Sequence, residues 1–193
     1  MEQIKNNLLE MPFRWRGRAV SVMRRMMLSV LIETRNDEEA LARTLATLVG
    51  GAVEGVVRDV VVLDRGSTDA TRRVADHTGC TLVTGELSAA IAQAKGDWLL
   101  LLEPGARLVD GWGNEAAAHA ARFTMPARFS RARAGRTPFL ARAFKRNSAL
   151  AQGLLISKRQ ASSLAKKADT TEALARGLAM RTLPAEIWPA ERR

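Results

Sequence analysis

The sequence predicts an α/β fold built on a mainly parallel sheet, and three observations carry that prediction. From residue 28 onward, short β-branched or leucine-rich runs alternate with longer stretches of helical period, the pattern of βαβ units. The ends of the first two runs are polar clusters able to start a helix. The fourth run, Trp98-Leu99-Leu100-Leu101-Leu102, is apolar without alternation, as a central strand buried on both faces requires.

Taken in order, residues 28–33 form the first strand, which stops at Asn36-Asp37-Glu38-Glu39. Asn36 caps the next helix there and Glu39 sits at capping-box spacing. Leu41, Leu45, Leu48 and Val49 share one face of that helix, and Gly50-Gly51 is expected to end it. A second strand covers 59–64, and Gly66-Ser67-Thr68-Asp69 opens a helix that closes at Gly79. Residues 80–84 form the third strand, 87–95 a helix and 97–102 the fourth strand, which breaks at Glu103-Pro104-Gly105. Beyond this point Pro126, Gly135 and Pro138 mark a loop-like middle, 153–157 one more strand, and 170–180 a helix. The expected organisation is a basic leader over 1–26 and a single domain over 27–184, split into halves at 27–112 and 113–184, with a tail at 185–193.

With 47% hydrophobic and 26% charged residues in 193, the chain excludes global disorder and collagen-like classes. A single cysteine, Cys80, excludes an internal disulfide and is read as a small buried hydrophobe. No run reaches the roughly 18 apolar residues of a membrane span, and the leader lacks the apolar core of a secretory signal, so a cytoplasmic location is expected. The net charge of +10 is concentrated between Glu115 and Asp169, where no acidic residue occurs. Arginines and lysines interleaved there with Phe123, Phe129, Phe139 and Phe144 suit adsorption to an anionic membrane surface. A nucleic-acid partner is disfavoured, because the segment holds no base-reading module.

In a parallel sheet, ligands bind beyond the carboxyl ends of the strands, so the informative residues follow each strand. Three polar clusters stand there: Glu33-Thr34-Arg35-Asn36, Asp64-Arg65-Gly66-Ser67-Thr68-Asp69 and Glu103-Pro104-Gly105-Ala106-Arg107. Helix N-termini beside them can face a diphosphate, and Asp64 can accept hydrogen bonds from a nucleobase or ribose. Two histidines without paired cysteines argue against a zinc site or a catalytic triad, and the phosphate-loop and dinucleotide glycine motifs are missing. Trp98 is read as a core residue and Trp112 as the aromatic placed to stack on substrate.

The order and spacing of Ser29-Val30-Leu31-Ile32-Glu33-Thr34-Arg35-Asn36, Val61-Val62-Leu63-Asp64-Arg65-Gly66-Ser67-Thr68-Asp69 and Lys95-Gly96-Asp97-Trp98-Leu99-Leu100-Leu101-Leu102-Glu103 resemble the family 2 glycosyltransferases. The resemblance covers about residues 28–112 and implies a GT-A, Rossmann-like fold and transfer of a sugar from a nucleotide diphosphate to a glycan or lipid-linked acceptor. It implies nucleotide-sugar contacts from Glu33, Thr34, Asn36, Asp64, Arg65, Ser67, Glu103 and Arg107, with Asp64 on the base. Glu103 takes the first place of the family's Asp-X-Asp, which holds Mg²⁺ or Mn²⁺. Glu33 stands where the family usually has proline, Arg65 replaces a second acidic residue, and Gly105 lacks the usual carboxylate, so metal use is expected to be weakened or lost. Arg65 or Arg107 would then supply positive charge to the leaving diphosphate. The general base that takes the acceptor proton is assigned to Glu172, with Asp169 second. The same departures suit an alternative, a GT-A domain that binds a nucleotide or a partner without catalysis.

Overall fold

The computed structural model describes residues 27–132 and 148–191. The basic leader, Phe139, Phe144 and the arginines and lysines of 133–147 lie outside them. Four parallel strands open the sheet: β1 (Leu28–Thr34), β2 (Val57–Asp64), β3 (Thr81–Thr84) and β4 (Trp98–Leu102). They are linked by α1 (Glu38–Val53), α2 (Thr71–His77) and α3 (Leu87–Gln93). There follow β5 (Arg107–Leu108), α4 (Trp112–Arg122), β6 (Ala127–Arg131), β7 (Leu154–Ser157), α5 (Lys158–Leu164), α6 (Thr171–Ala175) and β8 (Arg181–Trp188). Among the described residues these strands form one sheet in the order β3-β2-β1-β4-β7-β6-β8-β5, with β7 antiparallel to both β4 and β6.

Strand periodicity explains the layers. On one face Leu28, Val30 and Ile32 of β1 pack with Leu41, Leu45 and Leu48 of α1 and with Trp112 and Phe129. On the other, Leu31 of β1 and Leu99 and Leu101 of β4 meet Leu87 and Ile91 of α3 and Leu174 of α6. The unbroken leucines of β4 are fully buried, as a strand with helices on both sides demands. Burying each contributes on the order of 2 kcal/mol.

Several expectations are corrected. Helix α1 runs through Gly50-Gly51 to Val53, because Gly51 is a packing residue: a Cβ there would stand 2.7 Å from Cζ2 of Trp112. Trp112 is itself 4% exposed and belongs to the core, where it meets Phe129 edge-on, so it is covered and not free to stack on a substrate. The middle expected as loop contains β6, whose Ala127 and Phe129 point inward while Arg128 and Arg131 stay in water. Phe129 is thereby removed from the expected membrane-facing set. The stretch expected as a tail over 185–193 is strand through Trp188, paired with both β6 and β5. The helix expected over 170–180 is only Thr171–Ala175, stopped before Gly177 at φ +76°.

Candidate functional site

In the order β3-β2-β1-β4 the chain moves outward from β1 and then crosses back to β4, so the strand order reverses between β1 and β4. A crevice is expected beyond the carboxyl ends of those two strands. A cleft of about 690 Å³ lies there, lined by Glu33 of β1, Leu102 of β4 and the Glu103-Pro104 turn. Thr170, Thr171 and Glu172 wall it from the second half, and Ala190 and Glu191 follow β8 into it. Of the residues for which the resemblance implied a donor contact or the general base, Glu33, Asn36, Glu103 and Glu172 line this cleft. Every titratable side chain on it other than Arg43 is a carboxylate: Asp37, Glu38, Glu39, Asp69 and Glu191 complete the set among the described residues.

The loops after β1 and β2 hold each other. Asn36, at φ +55°, donates its amide to Ser67 Oγ and accepts the Thr68 amide on its side-chain oxygen, at 3.0 and 2.7 Å. The Asp37 amide donates to Thr71 Oγ1, the Glu38 amide to Asp69, and the Ala70 amide to Glu38. These helix-start amides, expected to face a diphosphate, are turned into bonds between the two loops. Asp69 also accepts the Thr71 amide, and the Thr71 hydrogen bond foremost holds its carboxyl below the ordinary carboxylate value. Thr34 is 3% exposed and donates to Asp37, so Thr34 and Ser67 shape the loops without lining the cleft.

Asp64 is 1% exposed. One carboxylate oxygen accepts the Ser67 amide at 2.9 Å and the other accepts Arg72 Nε at 2.8 Å. Burial acts to raise its pKa, but the Ser67 and Arg72 bonds outweigh it and hold the group below 3.8. In this structure the Asp64 carboxylate is a turn cap covered by Arg72.

Glu33 and Arg65, two separate departures in the sequence, prove to be one pair: Arg65 Nε donates to Glu33 Oε1 at 2.8 Å. The rest of the guanidinium donates to the carbonyls of Gly85, at 2.7 Å, and Asp169. Arg65 is therefore committed to protein acceptors and not poised for a leaving diphosphate. Arg107 is exposed, lies 5.9 Å above the Trp188 ring and is away from the cleft lining. Asp169 enters through its carbonyl, and its side chain does not line the cleft.

The described residues do not fit a resident divalent ion. Gly105, at the third place of the altered motif, has φ +92° and donates its amide to the Ala40 carbonyl and Thr44 Oγ1, docking the turn on α1. A Cβ there would make ordinary contact with Ala190 at 3.4 Å and Ala40 at 3.6 Å. Among the described residues, no three His, Cys, Asp or Glu side chains converge as a ligand set.

No family model matches the chain. A TPR repeat-containing protein of Synechococcus elongatus is 34% identical over 93 residues, which is 44% of this chain and 22% of that protein. Glucosyl-3-phosphoglycerate synthase from Mycobacterium tuberculosis, in complex with UDP, superposes with a TM-score of 0.53 at 19% identity, covering 77% of this chain and 62% of the synthase. The same synthase with Mn²⁺, UDP and glucosyl-3-phosphoglycerate gives 0.56 at 17% identity, covering 92% and 76%. Residues 1–349 of S. aureus TarS give 0.61 at 17% identity, covering 86% and 60%. The chain thus spans about a fifth of the curated relative and about three-fifths of two of these structures. Strand order, cleft position and these superpositions lead to one conclusion: this protein has the GT-A fold shared with nucleotide-sugar transferases.

Proposed function

We propose that this protein transfers a sugar from a nucleotide diphosphate to a hydroxyl of a glycan or lipid-linked acceptor. The observation that carries the reading is the cleft at the strand reversal, which takes one wall from the first half and sets Glu172 of the second half on the other. In the transfer, Glu172 accepts the acceptor hydroxyl proton as the oxygen attacks the anomeric carbon. The bond to the diphosphate breaks on the opposite face, and the configuration inverts. Arg43 supplies positive charge to the leaving diphosphate: it is the one cation lining the cleft among the described residues, and its 3.8 Å pair with Glu39 is exposed and weak enough to exchange. Glu172→Gln is expected to lower transfer about 100-fold or more with donor binding unchanged, the scale of a lost general base. Transfer at the wild-type rate in that variant sinks the assignment.

A second reading, nucleotide or partner binding without catalysis, is favoured by the covered Asp64 and by the lack of fit for a resident ion. It predicts donor binding with no release of free nucleotide diphosphate under any acceptor. The proposal puts the acceptor side at an anionic membrane surface, reached through the exposed Arg122, Arg128, Arg131, Arg159, Lys166 and Lys167. No helix among the described residues is long and apolar enough to cross a membrane; the contact proposed is peripheral, on the cytoplasmic face. Flotation with anionic vesicles tests it, and recovery of all protein in the unbound fraction counts against it.

A further inference from the structure

We infer that Glu33 and Arg65 are positioning residues: together they pin the segment 169–171 to the ends of β1 and β2, and thereby fix where the Glu172 carboxylate stands in the cleft. The register puts Thr34 beside Asp64, so Glu33 and Arg65 rise from neighbouring strand ends. Each is largely covered, with 15% and 28% of the side chain exposed. Glu33 uses both oxygens. Oε1 takes Arg65 Nε, while Oε2 accepts the Thr171 amide at 2.7 Å and Thr171 Oγ1 at 2.9 Å. Arg65 completes the tie by donating to the Asp169 carbonyl. Bonds to an ionised partner are about twice as strong as neutral ones, and a planar guanidinium can hold several acceptors at once.

The segment needs such a tie. Helix α6 has five residues, far too few to be stable by itself. Its far end is anchored by Leu174, which is 2% exposed in the core. Its near end has Thr170 as its own cap, with Oγ1 accepting the Ala173 amide, and Glu33 as the anchor of the next residue. Glu172 follows directly, in the first turn and on the cleft. The two departures at 33 and 65 are thus compensating: a lone carboxylate or a lone guanidinium, each largely covered, would be costly, whereas the pair is satisfied and reaches across to the second half.

The catalytic part of this inference rests on the sugar-transfer reading, whereas the tie itself does not. The test is amide hydrogen exchange of the ¹⁵N-labelled full chain, with Glu33→Gln and Arg65→Ala compared to wild type. The Thr171 amide is expected to exchange at least tenfold faster in Arg65→Ala, and faster in Glu33→Gln, while Leu100 of β4 is unchanged. Arg65→Lys is expected to behave like Arg65→Ala, since one ammonium cannot reproduce the three-acceptor fork. In transfer assays the same variants are expected to lose kcat about tenfold with the donor KM held. Should Arg65→Ala fail to fold, Thr171→Val removes one arm of the tie while keeping its shape. Unchanged Thr171 exchange in the folded variants overturns the tie. Faster exchange with unchanged kcat overturns the positioning role. If the wild type transfers no sugar, the functional reading fails and exchange at Thr171 alone decides the tie.

Discussion

Replacing Asp64 by alanine separates two roles that the strand-end position allows. If the carboxylate is a turn cap, as its contacts with Ser67 and Arg72 show, the ligand-free protein loses stability. Losing the bond to the Ser67 amide costs about 1 kcal/mol, the usual scale of a lost cap. Losing the contact to Arg72 costs about 1–2 kcal/mol, discounted because that guanidinium is 53% exposed. The sum, about 2–3 kcal/mol, corresponds to a fall in Tm of roughly 5–10 °C for a chain of this size. Thermal unfolding by circular dichroism without ligand reads it directly. The pH dependence has a definite sign. The folded carboxyl lies below 3.8, so its stabilisation is fully present above that value and is lost as pH falls through the lower folded value. The advantage of wild type over Asp64→Asn therefore shrinks as pH is lowered from about 5. A ligand-free Asp64→Ala protein melting within about 1 °C of wild type would refute the cap and return Asp64 to the nucleotide.

Other expectations follow from particular contacts. Gly51→Ala, which would normally stabilise a helix by about 1 kcal/mol, is expected to destabilise this one by about 1 kcal/mol net. The new Cβ would sit 2.7 Å from Trp112 and 3.2 Å from Val57, and denaturant unfolding showing a gain contradicts that packing. Gly105→Asp restores a carboxylate to the altered motif but at φ +92°; it is expected to cost about 1–3 kcal/mol and to give no Mn²⁺-dependent rise in Tm. A clear rise with Mn²⁺ would show that the site needs only that carboxylate. Burial pushes the Cys80 thiol up, so alkylation near pH 7.5 is expected to be slow in the folded protein and fast in denaturant. Equal rates in both states would place the thiol in solvent.

Much of the first half is legible in the sequence because local signals there agree with tertiary context. The Val and Leu runs of β1, β2 and β4 are buried from both sides, and Gly79, at φ +72°, ends its helix as expected. Gly50-Gly51 misleads because a distant residue decides the matter: Trp112 fills the space that a side chain at Gly51 would take. In the second half the inward residues of β6 and β8 are few, Phe129 and Ala127 in one and Leu183 and Ile187 in the other. Arginines around β6 and Pro184 within β8 hide that alternation, and Glu191 is hidden with it. The site was legible as a list of strand-end residues but not as contacts. Glu33 and Arg65 are each visible as departures, whereas their pairing depends on the β1–β2 register and on a segment 138 positions away from Glu33.

On the proposed function, the carboxylate-lined cleft between the ends of β1 and β4 receives a nucleotide-diphospho-sugar. It can be read directly in an amide NMR titration of the full chain with uridine, guanosine and thymidine diphosphate-sugars, each with Mg²⁺ and with chelator. Saturable shifts are expected at Asn36, Arg43, Glu103 and Glu172 with at least one donor, persisting in chelator. Shifts absent for every donor, or confined to residues remote from this cleft, would contradict it.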